Sequence, residues 1–357
     1  MISTPLRILV LADSRSFHTE RYVRELRRQG CRVLLASLEN GGTIHLHLRR
    51  IGPLPWLHYA LASAHVRGVI RRFNPDVVNA HFATGYGWLA GRAISRKSAP
   101  IALHLWGSDI LQVPHKSPFH RRKARRALAC ADLTVGDSQY LLDQAALIHP
   151  LNSPCVKYWG IERQYLALAD TRRPPSCPLR IIVPRHHEPV YNNLMVLRAL
   201  GQLLREKKVA LTVPASGSRC GEFKNQAGSL PPDSIRYYDR LPRDQFMAFL
   251  SQHDVYLSAS HSDSSPASLI EAMGLGLVPV TADIPGVREW LTPQSGYRFE
   301  PGNADDLCTA IGAIMGAEDN HVPMRSRNHE RVKREAIFEN TVAETISLML
   351  SLTEKRL

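Results

Sequence analysis

The chain has 357 residues, 44% hydrophobic and 22% charged, which is long enough for two packed cores and too balanced for a disordered or fibrous protein. Its net charge of +13 is uneven: residues 1–170 hold 23 Lys and Arg against 11 Asp and Glu, leaving 22 against 21 for the rest. A basic first half and a near-neutral second half imply two domains with different partners. No apolar run approaches the roughly 18 residues of a membrane span, and the start lacks the basic leader and long apolar stretch of an export signal.

Short β-rich runs alternate with helical patterns from the beginning: 7–12, then a helix over 19–29, 32–37, a helix over 57–73, 76–80, a helix over 86–97, 101–105, a basic helix over 118–130, and 133–136. Such alternation predicts a parallel sheet covered on both faces. The pattern lapses between about Tyr165 and Pro178, in the linker-like stretch 171–176. It restarts as 179–183, 193–206, 209–213, 243–251, 255–258, 267–274 and 278–281, followed by a helix over 304–315. A helical tail over 325–352, with no strand after it, is expected to pack back on the first domain. The division predicted is 1–168 with a returning tail of about 335–357, and 178–334. In open parallel sheets ligands sit beyond the carboxyl ends of the strands. Asp13-Ser14, His81, Gly107-Ser108-Asp109, Arg185 and the run from Ser258 to Ser265 fall there, and would converge if the sheets face one another.

The most specific stretch is His261-Ser262-Asp263-Ser264-Ser265-Pro266-Ala267-Ser268-Leu269-Ile270-Glu271-Ala272-Met273-Gly274. Ser265 followed by Pro266 predicts a helix start with Ser265 as cap and proline in the first helical position. The backbone N–H groups of Ala267 and Ser268, at the positive end of the helix dipole, suit a phosphate. Glu271 lies about 9 Å further along the axis, within reach of a ribose, while Asp263 would reach a hexose. On spacing alone, an ordinary helix carboxylate and an extra cap fit as well.

The segment from Asp263 to Pro285, with its two carboxylates eight positions apart and its Ala-Met-Gly-Leu-Gly-Leu-Val-Pro-Val run, resembles the donor site of retaining glycosyltransferases of family four, which have the GT-B fold. Arg288-Glu289-Trp290-Leu291, Gly296-Tyr297 and Asn303-Ala304-Asp305-Asp306-Leu307 resemble the family's downstream pattern, and His81 and Trp106-Gly107-Ser108-Asp109 match it more loosely. The resemblance implies two Rossmann-like doubly wound domains facing across a cleft. It implies a nucleotide-diphosphate sugar on the second domain, with Glu271 on the ribose, Asp263 near the sugar, and Ser264, Ser265, Ala267 and Ser268 around the diphosphate. Arg185, closing a predicted strand, matches the family's diphosphate arginine, whose planar fork suits paired phosphate oxygens. The lysine that usually follows is missing, so either Asn192 or a basic residue not identified from the sequence assists Arg185. Where the family has a histidine before the Gly-Ser-Asp turn, this chain has Trp106. His81 is therefore the histidine candidate for the reaction centre, with a packed strand-end role as the alternative. Asp109 either orients an acceptor hydroxyl or caps the next helix, and Ser14 allows close approach of a ligand on the acceptor side.

No G-x-G-x-x-G follows the first strand, no Asp-x-Asp pair occurs, and the six cysteines are scattered without C-x-x-C spacing. No cofactor or metal is expected, and the thiols read as reduced in a cytoplasmic protein. The cations between Lys116 and Arg126, with Arg49, Arg50, Arg67, Arg71 and Arg72, suit an anionic membrane surface, with Leu54, Trp56, Leu57 and Tyr59 as apolar anchors; a solvated helix face is the alternative. No nucleic-acid motif accompanies them. The function expected is transfer of a hexosyl unit, with retention, from a nucleotide sugar to a glycan or polyprenyl-linked acceptor in surface polysaccharide synthesis. A sugar-nucleotide epimerase or hydrolase, and a non-catalytic polyanion-binding protein, are the alternatives.

Overall fold

The structure is a computed structural model and describes residues 5–41, 46–48, 55–94, 98–171, 174–317 and 321–354, without side chains over 55–61. The chain divides into two units, Met1–Tyr158 with Glu339–Leu357, and Trp159–Phe338. Each is built on one parallel sheet.

In the first unit the strands are β1 (Arg7–Leu11), β2 (Arg32–Ser37), β3 (Leu46–His47), β4 (Val77–His81), β5 (Ile101–His104), β6 (Leu133–Gly136) and β7 (Pro154–Val156). They lie in the order β3-β2-β1-β4-β5-β6-β7. Strands β1 and β4 pair in register, Ile8 with Val77 and Leu11 with Ala80. Their residues are almost wholly buried, as expected where helices cover both faces of a sheet. Each buried Val, Leu or Ile contributes about 1.5–3 kcal/mol. Two helix starts follow from local chemistry: Ser117 accepts the His120 N–H at the head of Pro118–Cys130, and Ser138 accepts the Leu141 N–H at the head of Gln139–Ala146.

The helix predicted over 86–97 differs in its opening. The chain leaves β4 through Phe82 at φ 70° and makes a π turn over Phe82–Gly87 before the α-helix Trp88–Ala93. Asp109 accepts the Ala83 N–H at 2.6 Å and the Trp106 N–H at 2.9 Å, stapling this left-handed exit to the turn after β5.

The second unit has β8 (Leu179–Ile182), β9 (Val209–Pro214), β10 (Ile235–Tyr238), β11 (Val255–Ser258), β12 (Val278–Ala282) and β13 (Tyr297–Phe299), in the order β10-β9-β8-β11-β12-β13. Asn303 caps the helix Ala304–Gly316 by accepting the N–H groups of Asp305 and Asp306. Residues 159–168, grouped by sequence with the first half, pack in the second unit, where the Tyr165 hydroxyl donates to Asp244.

The tail is two helices, His321–Glu335 in the second unit and Phe338–Glu354, which lies almost wholly in the first, and not one helix. The break has a cause: Ile161 N–H donates to Ala336 C=O at 3.0 Å and Phe338 N–H to Ile161 C=O at 2.9 Å. This bridge takes backbone groups that a continuous helix would need. On the first unit the second tail helix receives a bond from Gln29 to Glu339 C=O at 2.8 Å, and Lys157 pairs with Glu344.

Candidate functional site

Each sheet reverses its order at one place, between β1 and β4 in the first unit and between β8 and β11 in the second. The crevice beyond such a reversal is where open α/β sheets bind ligands. In the second unit Arg185 follows β8 and Asp263 follows β11, and the two side chains form an ion pair across that point, each 18% exposed. The guanidinium also stands 5.2 Å from the centre of the Tyr191 ring. Burial alone would lower the Arg185 pKa; the Asp263 carboxylate, together with Tyr256 and Tyr191, offsets it and keeps the cation charged. One nitrogen of the fork, Nε, is buried without a hydrogen-bond partner.

The Asp263 loop is held on three sides. His261 N–H donates to Val190 C=O at 2.8 Å, and the Ser258 and Ser260 hydroxyls are bonded at 2.9 Å. Gly286 lies so close that a Cβ there would be 2.1 Å from the Ser264 carbonyl oxygen and 2.2 Å from that of Asp263. The helix that follows, Ala267–Gly274, is capped by Pro266 and not by Ser265. At ψ 115° Pro266 is still extended, yet its carbonyl accepts the Ile270 N–H at 3.3 Å, so the helix starts one residue later than the sequence suggests. The N–H groups of Ala267 and Ser268 then stand in its first turn, and the Ser265 hydroxyl is buried, 3% exposed, without a partner. Ser264 N–H bonds the Asp263 carboxylate at 3.0 Å, and the Ser268 hydroxyl meets that of Tyr256 at 3.1 Å.

Glu271 is buried on this helix and its Oε1 pairs with Arg243 Nη1 at 2.7 Å. Asn192, expected to assist Arg185, takes a left-handed turn at φ 51° ahead of the helix Asn193–Arg205. The neighbouring Asn193 makes the contact instead, donating to the Arg185 carbonyl at 2.8 Å.

In the first unit the candidates do not form an open reaction centre. His81 is 1% exposed, with Nδ1 bonded to the Trp106 indole at 3.2 Å and Nε2 to Asn79 Oδ1 at 3.2 Å. Tyr22 and His104 pack on its ring at 5.2 and 4.6 Å. Burial, with the neighbouring His104, holds its pKa well below 6.5. Both nitrogens are engaged inside the unit, which is the packed strand-end arrangement named as the alternative to a place in the reaction centre. Asp109, fully buried inside the short helix Ser108–Leu111, does not cap it but accepts the Ala83 and Trp106 N–H groups as the staple between two turns. Ser14 is buried too, its hydroxyl donating to Glu39 C=O at 3.0 Å and its N–H to Ser37 Oγ at 3.1 Å. Trp106 remains half-buried beside His18.

The chain matches two family models, one described as glycosyl transferase 4-like over residues 7–138 and one as glycosyl transferases group 1 over residues 174–333. The chain belongs to the group 1 glycosyltransferases, with the GT-B fold. A curated member, the putative teichuronic acid biosynthesis glycosyltransferase TuaC of Bacillus subtilis, is 26% identical over 271 residues, 73% of this chain and 67% of that protein. Among solved structures, Anabaena HepE in complex with UDP-glucose superposes with a TM-score of 0.76 at 17% identity, over 96% of this chain and 99% of that one. Sucrose-phosphate synthase from Thermosynechococcus elongatus does so with 0.83 at 12% identity, over 98% and 100%.

For this glycosyltransferase, sequence reasoning missed Arg243, whose only signal was its place at a helix start after Pro242. On the basic helix Pro118–Cys130, Arg121, Arg122, Arg125 and Arg126 are exposed, as are Arg67, Arg71, Arg72 and Arg92 on neighbouring helices. Lys123 is buried over the Trp88 ring at 4.6 Å. Arg49, Arg50, Leu54 and the side chains of Trp56, Leu57 and Tyr59 lie outside the described residues. Among the described residues, no helix is long and apolar enough to cross a membrane, and no three His, Cys, Asp or Glu side chains group as metal ligands would.

Proposed function

We propose that the protein transfers a hexosyl unit, with retention of configuration, from a nucleotide-diphosphate sugar to a glycan or polyprenyl-linked acceptor in surface polysaccharide assembly. The observation that carries this reading is the pair of buried, unpartnered polar atoms at the β8/β11 reversal, Arg185 Nε and Ser265 Oγ, beside the first-turn amides of Ala267 and Ser268. A diphosphate offers acceptors to all four. In this reading Arg185 and the helix dipole stabilise charge on the departing diphosphate, the place a divalent cation takes in other phosphate chemistry. Asp263 lies toward the hexose, Glu271 accepts from the ribose, Ser264 and Ser268 line the same turn, and the acceptor attacks from the face the leaving group vacates. His81 has no part in it. The complex of HepE with UDP-glucose and the name of TuaC agree with this donor class and pathway type.

The second unit is the donor domain in this reading and the first binds the acceptor. The first unit's helices Pro118–Cys130 and Trp88–Ala93 carry exposed arginines and no acidic residue. Two exposed large apolar side chains flank them: Phe119, 44% exposed, and Leu147, 72% exposed, whose carbonyl receives Arg121 at 3.4 Å. Cations beside protruding apolar groups suit the inner face of an anionic bilayer, where each charge contributes about 1 kcal/mol, and this supports a lipid-linked acceptor.

The test is a thermal-shift panel of UDP-, GDP-, ADP- and dTDP-sugars. A donor at about 100 times its dissociation constant stabilises by about 2.7 kcal/mol. No shift with any of them would end the reading. Donor consumed by the purified protein without acceptor would favour an epimerase or hydrolase on the same fold.

A further inference from the structure

Arg243 heads the helix Arg243–Leu250 and is held between two carboxylates from distant parts of the second unit. Its Nη1 meets Glu271 Oε1 at 2.7 Å, and its Nη2 meets Glu162 Oε2 at 2.6 Å. Glu162 precedes the turn Arg163–Leu168, whose Tyr165 ring lies 5.4 Å from the guanidinium and whose hydroxyl donates to Asp244, the next residue after Arg243. All three charged side chains are largely buried, at 15%, 16% and 5% exposure for Arg243, Glu162 and Glu271.

A carboxylate at the end of a flexible stem has several rotamers, and only some present an oxygen to a ligand. A planar fork anchored at one end by Glu162 and flanked by Tyr165 fixes the Glu271 oxygen that it binds. In this reading a nucleotide enters with its diphosphate toward Arg185 and its sugar hydroxyls toward Glu271.

We propose that Arg243 is a positioning residue of the donor site, holding Glu271 in the orientation that reads the ribose hydroxyls while Glu162 holds Arg243 from the segment that enters the unit. The inference rests on the assignment of Glu271 to the ribose. Lysine cannot replace the fork, because one ammonium does not bridge two carboxylates in a fixed plane.

The experiment measures dissociation constants of uridine, guanosine and adenosine diphosphates beside their 2′,3′-dideoxy counterparts, on the wild-type protein and on Arg243→Gln, Arg243→Lys, Glu162→Gln and Glu271→Ala. The wild type should prefer the ribose form of the diphosphate it binds by about tenfold or more. Arg243→Gln should lose most of that preference, Glu162→Gln part of it, and Arg243→Lys should recover it only partly. A general loss of structure would weaken both forms equally and leave the ratio intact. In turnover, Arg243→Gln should raise KM for the donor about tenfold with the acceptor KM unchanged. If Arg243→Gln does not fold, Glu162→Gln and Arg243→Lys carry the ratio test. An unchanged ratio in these variants, beside a collapsed ratio in Glu271→Ala, would overturn this inference alone. A wild type that binds none of the diphosphates, or an unchanged ratio in Glu271→Ala, would overturn it together with the donor-site reading.

Discussion

Trp106 donates its indole N–H to Nδ1 of His81 at 3.2 Å, and because an indole can only donate, the imidazole carries its proton on Nε2 and gives it to Asn79 Oδ1. A second proton on that ring would face an indole N–H with nothing to accept it. The first unit therefore holds a neutral histidine in its core, packed at a tilt against His104, whose pKa burial lowers to about 3.

The consequence for stability has a definite sign. In the unfolded chain both imidazoles titrate near 6.5, while in the folded unit they resist the proton far below that. Their contribution is complete above about pH 6.5 and is lost as pH falls toward the folded values, at about 1.4 kcal/mol per pH unit for each histidine. Denaturant melts between pH 7.5 and 5 should show this slope, and His104→Phe should flatten it. A slope unaltered by that substitution would contradict the buried pair.

Glu271→Ala should weaken donor binding and turnover by about tenfold or more, roughly 1.4 kcal/mol. Arg185→Ala should act mainly on kcat, because the cation is asked to stabilise charge that develops as the diphosphate leaves. Turnover should survive a chelator. Loss of activity in a chelator, restored by a divalent metal, would move the leaving-group role from Arg185 to the ion.

Gly286 permits the approach of the strand exit to the Asp263–Ser264 backbone. Gly286→Ala places a Cβ 2.1 Å from a carbonyl oxygen, and that backbone must move. Donor affinity should fall by more than tenfold. The control is Gly312→Ala, where a Cβ meets nothing within 4 Å inside the helix Ala304–Gly316; it should leave affinity alone and stabilise by about 1 kcal/mol. Equal affinity in both variants would show that the loop's position does not govern binding.

Reversing Arg121, Arg122 and Arg125 to Glu should lower binding to vesicles containing phosphatidylglycerol by more than 100-fold at low salt, from about 1 kcal/mol for each cation removed. Phe119→Ser should weaken what remains, and neutral phosphatidylcholine vesicles should bind little. Binding that ignores both lipid charge and these substitutions would leave the arginines as a solvated surface.

The alternation of apolar runs carried the two parallel sheets because buried strands and amphipathic helices differ in period. Strands β3, β7 and β13, of two or three residues, are too short to show any period. Arg185 was legible because it follows a run that reads as a strand, and Asp263 because it stands just before a helix start marked by Ser265-Pro266. Arg243 was not, since its partners Glu162 and Glu271 lie 81 and 28 positions away, and no local pattern marks a contact of that range. His81 looked available because its position at a strand end says nothing of Trp106 or Tyr22 closing over it. The one-residue error at Pro266 arose because proline fits both the cap and the first helical position until ψ is known.

Because Ile161 and Ala336–Phe338 are laced together, the two junctions of the second unit are adjacent chain segments. That unit is a cassette spliced into its host between residues 158 and 339. Under the proposed reading, a transplant cut at those two points should carry donor choice with residues 159–338 while the host keeps its own returning helix.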